Sequence, residues 1–72
     1  MKLTIKVTWD ADACVWTAES DDVPGLVLES GSFDALVERL RYAVPEMLEL
    51  NGAAKGPLQL EVVSQRLEQV AI

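Results

Sequence analysis

A chain of 72 residues, half of them apolar, has room for one hydrophobic core and is too apolar for intrinsic disorder. Twelve acids against six bases give a net charge of −6, and no histidine is present. Those facts exclude Ser-His and Cys-His nucleophilic catalysis and argue against direct binding to a phosphate backbone, which needs clustered Lys and Arg.

The first strand is written in strict alternation, Leu3, Ile5, Val7 and Trp9 against Lys2, Thr4, Lys6 and Thr8. Asp10-Ala11-Asp12-Ala13 reads as a turn, since Asp side chains bond the nearby backbone. A second strand is predicted over Cys14 to Ser20, with Cys14, Trp16 and Ala18 on one face and Val15, Thr17 and Glu19 on the other; either face fits the core. Asp21-Asp22-Val23-Pro24-Gly25 ends it, Pro presetting one turn dihedral and Gly accepting a positive one. A short third strand, Leu26 to Glu29, follows.

Ser32 is placed as the cap of a helix with Asp34 in its first turn. Phe33, Leu36, Val37, Leu40, Ala43, Val44, Met47 and Leu48 form one apolar stripe at helical spacing. Pro45 should kink this helix without ending it, because the stripe keeps its phase beyond it. Asn51-Gly52 reads as the terminus. Gly56-Pro57 opens a last strand in which Leu58, Leu60 and Val62 alternate with Gln59 and Glu61, and the phase breaks at Val63-Ser64. The tail, Leu67 to Ile72, is apolar enough to pack, and a second subunit is one candidate support. The order is strand, strand, strand, helix, strand: an α+β fold with an antiparallel three-stranded meander, and a fourth strand beside the first and parallel to it.

Charge is unevenly spread. Between Val7 and Glu38 stand eight acids (Asp10, Asp12, Glu19, Asp21, Asp22, Glu29, Asp34, Glu38) and no base. Such a region should repel nucleic acid; it either attracts a basic protein or is simply a set of solvated turns kept acidic for solubility. Asp10, Asp12, Asp21 and Asp22 are the candidate partner-binding residues, read as one acidic hairpin end crowned by Asp21 and Asp22 beside the Pro-Gly turn. Trp9 and Trp16, flanking the first turn, are core candidates first, and interface anchors if either is exposed. The single cysteine, Cys14, makes no internal disulfide and has no Lys or Arg near it in sequence to favour a thiolate.

The stretch from Trp9 to Leu26, with Trp9-Asp10, Val15-Trp16 and the block Asp21-Asp22-Val23-Pro24-Gly25-Leu26, resembles the HicB-like antitoxin domains, in particular their small single-domain relatives. Val44-Pro45-Glu46-Met47-Leu48-Glu49-Leu50-Asn51-Gly52 is similar to the helix end of those relatives. The resemblance implies a reduced RNase H-like βββαβ fold, one domain over 1–72 without the C-terminal DNA-binding domain of many HicB proteins, and a small basic HicA-type toxin as partner. The function it implies is neutralisation of that mRNA-cleaving toxin without catalysis. The alternative is a stand-alone protein-binding or oligomerisation module of the same fold.

An RNase H-like nuclease needs carboxylates converging on two metal ions. The first strand has no acid before Asp10, and Glu38 and Glu61 read as ordinary surface residues. Asp10 and Asp12 lack the glycine and terminal glutamate of a calcium loop. No enzymatic activity, metal or cofactor is therefore expected. A homodimer is, because so small a domain with open sheet edges gains from further burial. No apolar run is long enough to cross a bilayer, and Met1 to Lys6 lacks the unbroken apolar stretch of a signal peptide, so a cytoplasmic protein is expected.

Overall fold

Alternation along β1 (Lys2–Asp10) turns Leu3, Ile5 and Val7 into the core and Lys2, Thr4, Lys6 and Thr8 to solvent. The computed structural model describes residues 1–52 and 56–72. Where β1 ends, Asp10 Oδ1 accepts the backbone N–H groups of Asp12 and Ala13 at 3.1 and 3.2 Å, closing the expected turn. Cys14 takes a φ of 56°, in the left-handed region, so it belongs to that turn, and β2 begins one residue later at Val15–Glu19. The ambiguous face is thereby settled: Ala18 is buried, and Trp16, of the same parity, packs against the core.

The next turn places Pro24 and Gly25 (φ 84°) between two buried side chains, Val23 and Leu26, with the Leu26 amide donating to the Val23 carbonyl at 3.1 Å. Because Leu26 is drawn into the core, β3 spans only Leu28–Ser30 rather than starting at Leu26. Ser32 caps α1 (Phe33–Leu50), its hydroxyl accepting the Ala35 amide at 3.2 Å. Leu36, Leu40, Val44 and Leu48 make the buried stripe, and the helix runs through Pro45 as expected. Its last carbonyls, of Met47 and Glu49, accept the Asn51 and Gly52 amides, with Gly52 at φ 70°.

The chain returns as β4 (Gln59–Gln65), parallel to β1, with Leu60 beside Leu3 and Val62 beside Ile5. The sheet order is β3-β2-β1-β4, antiparallel except for that last pair, which is the βββαβ arrangement read from the sequence. α1 lies nearest β2 and β3, and Arg39 Nη1 donates to the Glu29 carbonyl at 3.0 Å. Leu58, Leu60 and Val62, at the opposite side, are only half-buried.

Leu40, fully buried between helix and sheet, tests this single core. Leu40→Ala should cost about 2–5 kcal/mol, a large part of the roughly 4–11 kcal/mol that a chain of this length holds. A urea unfolding curve should show a lower midpoint with an unchanged slope.

Candidate functional site

The four carboxylates singled out in the sequence do not form one cluster. Asp10 and Asp12 lie at the tip of the β1–β2 hairpin, whereas Asp22 lies beside Thr4 near the start of β1. Six residues of strand separate Thr4 from Asp10, about 20 Å. The expectation of a single acidic end crowned by Asp21 and Asp22 is therefore corrected to two acidic ends. The physical reason is that β2 carries the chain back along the full hairpin before the second Asp pair is reached.

Two of the four also do structural work. β2 ends at Glu19, opposite Lys6, so Lys2 to Ile5 of β1 lie beyond it, and side chains bond the β1 backbone there. Ser20 Oγ donates to the Thr4 carbonyl and accepts the Asp22 amide at 3.0 Å, while Asp22 Oδ2 accepts the Thr4 amide at 2.8 Å. Asp10 is held by its own turn. Asp12 and Asp21 are exposed and engage no hydrogen bond or ion pair through their side chains among the described residues. Asp21 borders a polar depression of about 520 Å³ shared with Lys6, Glu19 and Leu26, so a base already stands near its charge.

At the hairpin tip the two tryptophans face each other across β1 and β2, ring centroids 5.2 Å apart and tilted by 58°. Phe33, the first residue of α1, meets Trp16 edge-on at 5.2 Å. Arg66, just past β4, lays its guanidinium 4.1 Å from the Trp9 ring centroid and bonds Glu68 through Nε. Both tryptophans are half-buried, partly core and partly surface. Arg66 was not legible as part of this cluster, because only the parallel β1–β4 register brings it beside Trp9.

The carboxylates considered for metal catalysis do not converge. Glu61 pairs with Lys2 at 3.4 Å on the helix-free face of the sheet, and Glu38 pairs with Arg41 at 3.4 Å on the exposed side of α1. Among the described residues no group of three or more His, Cys, Asp or Glu is placed to hold a metal ion. No helix among them is long and apolar enough to cross a membrane. Cys14 is exposed in the hairpin turn, its thiol 3.5 Å from the Ala11 carbonyl.

The side-chain ladder gives a direct test. Asp22→Ala removes the acceptor of the Thr4 amide and should destabilise the fold by about 0.5–1.5 kcal/mol. Asp22→Asn keeps an acceptor oxygen in place and should lose less than half of that. Paired denaturation curves check both, and equal losses would mean that the charge, not the hydrogen bond, holds the loop.

No curated protein matches the chain. Among solved structures it is similar to a hypothetical protein of the extremely thermophilic bacterium Thermus thermophilus, with 41% identity, a TM-score of 0.85, and coverage of 97% of this chain and 100% of that one. Residues 2–71 match a domain of unknown function, DUF1902. With the match running over nearly every residue and the same fold seen in the thermophile's protein, the chain belongs to the DUF1902 family.

Proposed function

We propose that this protein is a non-catalytic, antitoxin-like binding domain that neutralises a small basic toxin of the HicA type, which cleaves messenger RNA. The observation that carries the reading is the stretch from Val7 to Glu38 with eight acids and no base. Its acids lie on turns, on the solvent face of the sheet and, for Asp34 and Glu38, on α1, and all eight are exposed. A basic RNA-cleaving protein presents the complementary potential, and an acidic domain seated on it competes with RNA for the same surface. The resemblance of Trp9 to Leu26 to HicB-like antitoxins supports the same partner.

The hairpin tip is the better contact of the two acidic ends. Asp12 is free there, Asp10 and Asp34 add charge close by, and Trp9 and Trp16 supply partly exposed aromatic surface of the kind that anchors interfaces. Each end has a base near it, Lys6 in the depression beside Asp21 and Arg66 over Trp9, but at the other end Asp22 is committed to the Thr4 amide. The cytoplasm, where such a toxin acts on messenger RNA, is the compartment this reading requires.

Co-purification from the native host, followed by an RNA-cleavage assay, tests the proposal. A short basic protein should be recovered whose cleavage of messenger RNA stops when this chain is added in equimolar amount. With that partner, Asp12→Lys should slow association several-fold at low salt, with the difference shrinking as salt rises, while Asp21→Lys changes it less. Each exposed pair is worth only about 0.2–1 kcal/mol, so rate is the sensitive readout. Recovery of a partner with no RNA-cleaving activity would sink the antitoxin reading.

A further inference from the structure

Beyond β4 the chain continues as Arg66 to Ile72 with almost nothing to rest on. Leu67 is 98% exposed and Val70 80%, and Ile72 is fully in solvent. The radius of gyration, 13.6 Å, reflects this projection; a compact chain of this length would have about 11 Å. The same molecule has an apolar groove that no described side chain fills. Val37, Leu40 and Pro45 of α1, Leu58 just before β4, and Leu60 and Val62 of β4 border about 340 Å³. β4 is also an edge strand, its outer backbone unpaired beside that groove.

The tail and the groove match in pattern. Leu58, Leu60 and Val62 point to the helix side of the sheet, and Arg66, of the same parity, lies over Trp9 on that side. Continuing the two-residue period puts Val70 and Ile72 on it as well. The chain's own tail cannot fold back into its own groove: Arg66 is pinned at the far end of β4, and no Gly, Pro, Asn or Asp lies between Leu58 and Ile72 to make a tight reversal. Among the described residues the groove's lining is apolar except for Arg41, which already pairs with Glu38.

We infer that the groove receives the tail of a second copy of this chain, in a reciprocal two-fold dimer in which each tail adds antiparallel to the open edge of the partner's β4. The register that sets Gln65 of both copies on the two-fold axis places Val70 opposite Leu60 and Ile72 opposite Leu58, on one face. It also keeps the two Arg66 side chains from meeting head-on, which would be unfavourable. Both grooves are filled at once, as a closed two-fold interface requires. Residues 59–72 with the helix wall approach the roughly 20 residues a side of a small stable interface. This inference does not depend on whether a toxin exists.

Sedimentation equilibrium of the full chain, from low to high micromolar, tests it. The wild type should be a dimer. Val70→Asp/Ile72→Asp should weaken self-association by about a hundredfold or more, since it sets two carboxylates in apolar contacts. Because these side chains touch no other part of their own subunit, the far-ultraviolet and tryptophan circular dichroism of the variant should match wild type. Hydrogen exchange should show the β4 amides protected in the wild type and faster in the variant. Val27→Lys, at an exposed apolar residue beside β3 on the opposite margin of the sheet, should leave the dimer intact. A monomeric wild type at every concentration, a dimer indifferent to the tail substitutions, or one lost through Val27→Lys alone would overturn the inference.

Discussion

The structure depends on one packing constraint: a single helix must cover one face of a four-stranded sheet. An α-helix with its side chains is about 10–12 Å across, whereas four strands about 4.8 Å apart span roughly 19 Å. One helix therefore shields about half the width, and α1 lies toward β2 and β3. Ile5 and Val7 on the central β1 and Leu36, Leu40 and Val44 on the helix are consequently shut off from water altogether. The turn Val23–Leu26 fills part of the remaining space with two more buried side chains. β4 is left with apolar side chains that the helix only half covers.

The uncovered faces follow from the same constraint. With no second helix layer, the other side of the sheet must be polar, and Thr4, Lys6, Thr8, Glu19, Glu29 and Glu61 provide that. The Lys2–Glu61 pair on this side is well exposed and adds little stability. Its worth is in register, since it spans the parallel β1–β4 pair, for which no short turn fixes alignment. At the other margin β2 stops early, and Ser20 and Asp22 side chains take over the hydrogen bonds that another strand residue would have made.

Elements were legible where a periodic pattern had a buried partner. The alternation of β1 and β4, and the stripe of α1 through Pro45, could be read because burial on one face selects them directly. Edges of elements were less legible. The sequence around Cys14 does not announce a left-handed backbone, a conformation Gly or Asn would have signalled, and so its apolar pattern starts β2 one residue early. Leu26 looks like a strand residue because apolar character is common to a ladder position and a turn residue plugged into the core. The separation of the two Asp pairs is hidden for a different reason. Sequence proximity across a hairpin says nothing of which end of the sheet a residue reaches until the register is known. Arg66 over Trp9 needs the parallel register in the same way.

The acidic turns raise the question of whether charge or turn chemistry placed the aspartates there. Asp10 and Asp22 both use a side-chain oxygen to accept backbone amides. An asparagine oxygen accepts the same bonds and is as much at home in such turns, without the charge. Turn geometry thus accounts for an oxygen at these positions but not for a carboxylate. The eight acids without a base are neighbours in sequence only, since in the fold Lys6 borders the depression beside Asp22 and Arg66 lies over Trp9 next to Asp10. Asn at either position would keep the turn bonds, so turn-forming alone does not select Asp. How the chain folds thus accounts for the oxygen that each turn uses and leaves the charge on it as a property of the surface.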